Sequence, residues 1–560
     1  MQQPGGHETG GSTRFGRGLL AFESIMRTPS LFLMLSASVC AAAASSSAAG
    51  ATGSAEAGRS HATVTFSGNS DAELYTREVA ESLQGVLQYN YVSEGSTYPV
   101  GFVRASPDPQ PWHKTFWTRD GGTFLRELVR WGYLDEAAAE AECLMRLVGR
   151  NDAGFYAFPR YFESTVPRSG KELDGTSAIV IGMTMLYKDL PAGHPAKDHL
   201  YQFLHGDASP VNYLQHELAQ RPLLEGEGEF GGGMGVKGSY CNVVQNQLAA
   251  LALRSYARLA DDAGDQAAGR SARAAAEKLD AGILEHFVGS DGAWIWCIEP
   301  KTLQPVPAVL NTATNRGFGG INGVLSMYAD VAGLEPAVTA EKLYAVSRRT
   351  FEKLYNTPAR KRQFDRWGIW TQFDALGGGA LTSPSYGMGY SIQDMLLFDD
   401  PAMAAKALGF VAENTYRPIP EYVLHRSSPY YFYERMYSPE AVGKVKLEEG
   451  CGALNLVNVC EQLKVARMIV GIDDSDPSAL ALVPRLPRDW TGFEARDWPV
   501  HRGGGTTRVS IRVSQSAGAT VLHFKSDARI PAINLRLPKG DGWERYRKLD
   551  SSEFEVTQLK

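Results

Sequence analysis

Between residues 72 and 470 the sequence contains about twelve segments with helical periodicity, and this number limits the folds open to the chain. Leu248, Leu251, Tyr256 and Leu259 illustrate how apolar residues recur along one helical face. Short turns join some neighbouring segments, whereas long connections rich in glycine, proline and aromatic residues join others. This alternation predicts helical hairpins that close into a double ring. The segments are 72–90, 120–132, 135–149, 173–189, 196–206, 240–261, 267–287, 317–332, 338–355, 387–398, 401–414 and 450–470.

The competing architecture is an open helical solenoid, but the sequence shows no repeat of fixed period such as solenoids have. We therefore predict a mainly α fold, an (α/α)6 barrel of about six helical hairpins that occupies residues 61–486. The pattern then changes, because residues 506–513 and 520–524 are β-branched or alternate between apolar and polar. These runs predict a small C-terminal β module over residues 487–560. The run 62–66 either adds a strand to this module or pairs elsewhere.

The first 60 residues predict an export signal and a flexible leader. Met26-Arg27-Thr28 precedes the apolar run 31–35 and a stretch of small residues at 41–49, which is the order found in secretory signal peptides. The apolar run is too short for a stable transmembrane helix, so we expect no membrane insertion once the signal is removed. A secreted or periplasmic location follows, with a disordered tail on a cytosolic protein as the alternative.

Composition argues against several classes of partner. The formal net charge is -6, and no basic stripe suggests a nucleic-acid partner. Five cysteines follow the leader without C-x-x-C spacing, so neither a disulfide framework nor a zinc site is indicated; they are Cys143, Cys241, Cys297, Cys451 and Cys460. The eleven histidines are scattered without H-x-x-x-H spacing, and we expect no catalytic metal and no cofactor.

Two acidic loops precede predicted helices. Glycosidic hydrolysis requires a carboxylic acid to protonate the leaving oxygen and a second carboxylate as base or nucleophile. Glu225, Glu227 and Glu229 alternate with glycines, and mutual repulsion would favour a protonated acid among them. Glu448 and Glu449 precede the last helix. Each loop also has an ordinary interpretation, as a solvated acidic turn or as acidic residues at a helix N-terminus.

A third loop, Trp117-Thr118-Arg119-Asp120-Gly121-Gly122, precedes the second helix. Arg119 has the planar fork that binds adjacent sugar hydroxyls, Asp120 can share that role, and Trp117 offers an aromatic wall. The alternative is a buried ion pair that caps the helix. Asp174 opens the fourth helix either as a sugar ligand or as an N-cap.

The order of these motifs resembles the six-hairpin (α/α)6-barrel glycosidases, in particular the glucoamylase-like enzymes. Trp-x-Arg-Asp comes before the second helix, Asp-Gly before the fourth, a glutamate loop before the sixth and a glutamate before the twelfth. The resemblance implies that Arg119 and Asp120 hold sugar hydroxyls, and that hydrolysis inverts the anomeric centre. It also implies that the acid is Glu227 or Glu229 and the base Glu449 or Glu448. The resemblance also implies further ligand contacts at Arg316, Arg366, Trp367 and Trp370.

We therefore predict a secreted glycoside hydrolase, exo-acting and inverting, with an oligosaccharide or polysaccharide as its partner. Two alternatives stay open. A toroidal polysaccharide lyase would act on uronate-containing glycans by β-elimination, and its candidate residues are Tyr386, Tyr390, His113, His425 and Arg426. A noncatalytic carbohydrate-binding protein would use the same pocket without turnover.

Overall fold

The computed structural model describes residues 61–560 except 96, 109–111, 169–172, 227–239, 296, 307–336, 357, 368–380, 383–387, 417–435, 438–453, 475, 477, 503–504, 540–541 and 560. The helices in these ranges are α1 (Ser70–Gly85, continued by a π-helical turn, Val86–Asn90), α2 (Thr118–Trp131), α3 (Leu134–Leu147), α4 (Leu173–Asp189), α5 (Pro195–His205), α6 (Pro210–Gln220), α7 (Val243–Asp262), α8 (Gln266–His286), α9 (Ala337–Tyr355), α10 (Pro358–Trp367), α11 (Met388–Leu397), α12 (Pro401–Tyr416) and α13 (Leu456–Val470).

The predicted helices correspond to observed helices whose ends differ by up to about six residues, as at residues 240–242, which precede α7, and the segment 317–332 lies outside the described residues. Helices α6 and α10 were not predicted. Both begin with a proline, as do α5 and α12, which were predicted. Proline is in fact well suited to the first turn of a helix, where its missing N–H has no intrahelical partner to lose. In α6 the Ser209 side chain caps the helix by accepting a hydrogen bond from the Asn212 backbone N–H at 3.0 Å.

Helices α2, α4, α7, α11 and α13 run parallel as the inner helices of the barrel. The first turns of α2 and α4 touch, because a Cβ on Gly175 would lie 2.2 Å from Thr118 Oγ1. The last turns of α4 and α7 also meet, with Lys188 Nζ 3.8 Å from an Asp262 carboxylate oxygen. Helices α2 and α13 are joined in their second halves by Glu127 and Arg467. The N-termini of these helices therefore lie at one end of the barrel.

The remaining helices pack outside this ring. Helix α1 lies against α12 and α13, and its Tyr75 hydroxyl donates to the Gln462 backbone carbonyl at 2.9 Å. Helix α8 returns antiparallel along α7. Within the described part of the chain, no helix combines the length and apolarity that crossing a membrane would require.

The C-terminal region is larger than the small module that the sequence predicted. A seven-stranded mixed sheet contains β1 (Thr63–Ser67), β9 (Ile472–Asp473), β10 (Leu480–Leu482), β11 (Gly492–Arg502), β12 (Gly505–Gln515), β13 (Ala519–Lys539) and β14 (Gly542–Leu559). Its order is β1-β11-β12-β13-β10-β9, and β14 pairs with β13. Strand β1 settles the alternative for residues 62–66, since it pairs antiparallel with β11.

Short strands add smaller sheets near the helix ends. They are β2 (Thr115–Trp117), β3 (Tyr161–Glu163), β4 (Val166–Arg168), β5 (Cys241–Asn242), β6 (Cys297–Ile298), β7 (Leu381–Thr382) and β8 (Met436–Tyr437). Strands β2, β3 and β4 form one antiparallel sheet, and β2 runs directly into α2. This sheet positions the first residues of α2 at the N-terminal end of the barrel.

Candidate active site

The loops before α2 and α13 meet at the N-terminal end of the barrel. The backbone N–H of Leu456, the first residue of α13, donates to the Ala105 carbonyl at 3.1 Å. The Ala105 N–H in turn donates to the Thr115 carbonyl in β2 at 2.8 Å. The start of α13 is thus attached to the strand that leads into α2. Glu449 lies outside the described residues, which resume at Leu454, two residues before α13.

The middle loop also begins and ends at this end of the barrel. Gly226 and Tyr240 exchange backbone hydrogen bonds of 3.1 and 3.3 Å, which bring the two ends of segment 227–239 together. The Asn246 side chain, in the first turns of α7, accepts from the Leu224 N–H at 2.7 Å and donates to the Leu224 carbonyl at 3.1 Å. Glu227 and Glu229 lie between these anchors, outside the described residues.

Glu225, the first carboxylate of the middle loop, is described. It forms an ion pair with Arg221, four residues earlier, and both side chains are partly exposed. A glutamate held by its own surface cation is less suited to donate a proton to a substrate. This contact favours Glu227 or Glu229 as the acidic candidate of the loop.

Arg119 and Asp120 lie side by side in the first turn of α2. Their exposed fractions are 8% and 4%, and Arg119 Nη2 donates to Asp120 Oδ1 at 3.2 Å. The two glycines that follow allow α2 to approach its neighbours. A Cβ on Gly122 would lie 2.5 Å from the Ile179 backbone nitrogen in α4, and one on Gly121 would meet the Phe116 ring. A larger residue in place of Gly122 would push α2, which carries the Arg119–Asp120 pair, away from α4.

Asp174 lies in the first turn of α4, next to the same pair. It is fully buried, and its Oδ1 accepts a hydrogen bond from the Gly175 N–H at 3.0 Å. Gly175 packs on Thr118, whose hydroxyl donates to the Pro159 carbonyl at 2.7 Å. The structure therefore brings Arg119, Asp120 and Asp174 to two touching helix N-termini.

Trp117 precedes these residues as the N-cap position of α2 and packs in an aromatic group. Its ring lies 4.7 Å from that of Tyr161 and 5.5 Å from that of Trp112, between ring centroids. The Arg160 guanidinium lies over the Trp117 ring at 5.1 Å. The sequence interpretation missed Tyr161 and Arg160. The alternation of Tyr161-Phe162-Glu163 was the available signal for a strand there, but not for its pairing with β2.

Two buried polar groups near the inner helices were also missed. Gln245 is the third residue of α7, is fully buried, and its amide oxygen and nitrogen make no hydrogen bond in the described structure. Asp394 in α11 is likewise buried without a hydrogen bond to either carboxylate oxygen, and burial raises its pKa well above the ordinary value. Polar groups in such positions are commonly satisfied by water or ligand.

The remaining predicted ligand residues are not described in full. Arg316 and Trp370 lie outside the described residues, whereas Arg366 and Trp367 end helix α10 with only their backbone described. Nor do the described residues contain a group of three or more His, Cys, Asp or Glu side chains arranged to hold a metal ion.

A cavity of about 450 Å³ lies at the opposite end of the barrel, among the C-terminal halves of the inner helices and the large sheet. Arg130, Lys188 and Arg258 line it, as expected where helix C-termini carry partial negative charge. Burial raises the pKa of Asp474 there, but Arg130 and the His501 backbone N–H outweigh burial and lower it to about 2. None of the predicted site residues lines this cavity, so it is separate from the candidate active site.

Comparisons with known proteins agree with the barrel geometry. An α-L-rhamnosidase from Dictyoglumus thermophilum superposes with a TM-score of 0.58 at 11% identity, covering 90% of this chain and 51% of its own. A GH78 family rhamnosidase from Bacillus sp. GL1 gives 0.51 at 14% identity, covering 86% of this chain and 43% of its own. The chain has the fold of the six-hairpin glycosidases.

This chain spans about half the length of these two structures. The glucoamylase from Saccharomycopsis fibuligera gives a TM-score of 0.45 at 13% identity, covering 75% of this chain and 92% of its own. No family model matches the sequence, and no curated protein matches it.

Proposed function

We propose that the protein is an exported, exo-acting and inverting glycoside hydrolase that removes a terminal α-L-rhamnosyl residue from an oligosaccharide or polysaccharide. The observation that carries this proposal is that the described ends of three loops lie at one end of the barrel. Arg119, Asp120 and Asp174 are buried there, and the anchors of the loops with Glu227, Glu229 and Glu449 lie at the same end. The choice of sugar rests on the two rhamnosidases that share the fold.

In the proposed reaction, Arg119 and Asp120 hold hydroxyls of the terminal sugar and so fix the ring against the catalytic carboxylates. Glu227 or Glu229 protonates the glycosidic oxygen as the bond to C1 breaks. Glu449 removes a proton from water, which attacks C1 from the opposite face and inverts its configuration. Such a mechanism needs the two carboxylates about 6.5–9.5 Å apart, which leaves room for the water.

Exo action is supported by where the polar groups lie. Arg119, Asp120 and Asp174 are nearly inaccessible at the barrel's N-terminal end, and residues of the large sheet line the cavity at the other end. A site closed at its base accepts the end of a glycan more readily than the middle of a chain. Export is supported by the charged, apolar and small-residue order of residues 26–49.

The decisive experiment combines a panel of aryl glycosides with proton NMR of the first product formed. We expect turnover of the α-L-rhamnoside and release of the inverted anomer. Retention of configuration would refute the inverting mechanism, and an absorbing unsaturated uronide released from a polyuronide would instead indicate a lyase. Binding of oligosaccharides without turnover of any glycoside would indicate a noncatalytic carbohydrate-binding protein.

Substitutions assign the roles of the carboxylates. We expect Glu449→Gln to lower kcat by several orders of magnitude while the melting temperature stays close to that of the wild type. Glu227→Gln and Glu229→Gln identify the acid. A substrate with a good leaving group needs no protonation, so it restores activity only to the variant that lacks the acid. Glu225→Gln is the matched control in the same loop, since its carboxylate is engaged by Arg221. Near-normal activity of Glu449→Gln would assign the base to another residue.

A further inference from the structure

Trp112 is exposed in a way that packing does not explain. Among the described residues, the large apolar side chains that stay exposed are Trp112, Val166 and Leu559. Trp112 keeps 43% of its surface accessible and has a backbone φ of 65°, a conformation that bulky residues rarely adopt. Strained backbone of this kind concentrates at ligand sites, where the surrounding structure maintains it.

Trp112 forms an aromatic platform with Trp117 and Tyr161. Its ring meets those of Trp117 and Tyr161 edge-on, with centroids 5.5 and 6.2 Å away. Strands β2 and β3 turn Trp117 and Tyr161 to one face of their sheet, while Phe116 and Phe162 are fully buried on the other. The platform is therefore a surface fixed by a paired sheet.

The platform is continuous with the candidate active site. Trp117 immediately precedes α2, whose first turn holds Arg119 and Asp120. Exposure rises along this path, from 8% at Arg119 to 43% at Trp112. A ligand whose end is held by Arg119 and Asp120 would therefore extend outward past the aromatic rings.

We infer that the aromatic platform is a leaving-group subsite, in which Trp112 stacks against a flat ring of the substrate beyond the scissile bond. The inference rests on the proposed function. A pyranose ring and an aromatic aglycone both present a flat apolar face, which is the chemistry that an exposed indole recognises. The exposed apolar side chain of Val166, on the same sheet, lacks such a face and serves as the control.

The test measures binding by isothermal titration calorimetry with three thioglycosides that resist hydrolysis. The probes are methyl 1-thio-α-L-rhamnoside, phenyl 1-thio-α-L-rhamnoside and a thio-linked rhamnosyl disaccharide. We expect Trp112→Ala to lower the affinity for the phenyl or the disaccharide probe about tenfold, which is a loss typical of one aromatic contact. Its affinity for the methyl probe should change less than about twofold. If binding of the phenyl probe weakens, the natural occupant is an aromatic aglycone. If binding of the disaccharide weakens, it is a sugar.

Trp112→Phe, which keeps a ring, should recover most of the affinity, and Val166→Ala should bind all three probes like the wild type. Equal affinities of wild type and Trp112→Ala for all probes would overturn the subsite, even if the wild type hydrolyses rhamnosides. Selective weakening by Trp112→Ala without any hydrolysis by the wild type would support the subsite and refute the hydrolase. Binding of none of the probes by the wild type would overturn both.

Discussion

Replacing Gly175 by alanine tests whether contact between the first turns of α2 and α4 sets the geometry of the candidate site. The added Cβ would lie 2.2 Å from Thr118 Oγ1, 3.1 Å from Thr118 Cβ and 3.2 Å from the Arg119 backbone nitrogen, whereas ordinary contacts are 3.4–4 Å. The Thr118 hydroxyl is held by the Pro159 carbonyl at 2.7 Å and cannot simply rotate away. The two helix ends must therefore separate by roughly 1 Å, the displacement at which catalysis typically falls about 10²-fold.

The assay measures kcat/KM on the best aryl glycoside together with the melting temperature. Overpacking of this kind typically costs about 1–3 kcal/mol, and the better helix propensity of alanine offsets about 1 kcal/mol of it. Gly182→Ala is the matched control, because it crowds the same helix pair two turns further along, 2.9 Å from the flexible Leu125 side chain. Gly149→Ala meets no atom within 4 Å and controls for the substitution itself.

We expect Gly175→Ala to lose about 10²-fold in kcat/KM, while Gly182→Ala loses comparable stability and keeps most of its activity. The contrast separates a displaced site from a weakened fold. If Gly182→Ala lost as much activity as Gly175→Ala, or if neither lost any, the first turns of α2 and α4 would not be part of the active site.

Two further predictions concern stability and pH. Burial raises the pKa of Glu78 from 4.5 to about 8, although the Thr415 hydroxyl lowers it, so the fold loses stability as pH rises through this interval. In urea unfolding, the free energy of unfolding of Glu78→Gln relative to the wild type should rise by about 3 kcal/mol between pH 4 and pH 7. For Glu81→Gln, on the same helix, this difference should change little. Asp474, with its pKa lowered from 3.8 to about 2, stabilises the fold above pH 3.8. Asp474→Asn should therefore cost about 2 kcal/mol at pH 7, with a penalty that disappears as pH falls towards 2 in thermal unfolding.

The helices could be predicted because their periodicity is local. Helix α4, for example, has the bounds that its apolar pattern indicates, Leu173–Asp189. Helices α6 and α10 were not predicted because they are short, 11 and 10 residues, and α10 carries few apolar residues from which a period could be recognised. The size of the sheet was not predicted for a different reason. Strand β13 (Ala519–Lys539) contains an irregularity between Lys525 and Ile530, where the alternation on which strand prediction depends is lost.

In the candidate site, too, the features that are local in sequence could be predicted and those that depend on tertiary packing could not. Arg119, Asp120 and Asp174 could be chosen from the sequence because polar residues beside glycines at helix starts are local signals. Their burial and the contact of Gly175 with Thr118 depend on how α2 and α4 pack, which no local pattern contains. The aromatic platform depends on the pairing of β2 with β3, two strands separated by a whole helical hairpin. Long-range register of this kind follows from the tertiary fold.

The direction of the inner helices also bears on the choice of acid and base. Because these helices run parallel, their N-termini, which carry partial positive charge, converge at the end that holds Asp120 and Asp174. That field favours charged carboxylates, which suits a base that activates water but opposes an acid that must hold a proton. A protonated acid there requires burial or negative charge nearby, and in the middle loop Glu227 and Glu229 lie two residues apart, whereas Glu225 is paired with Arg221. For the proposed hydrolase, helix polarity therefore favours the middle loop as the source of the acid and Glu449 as the base.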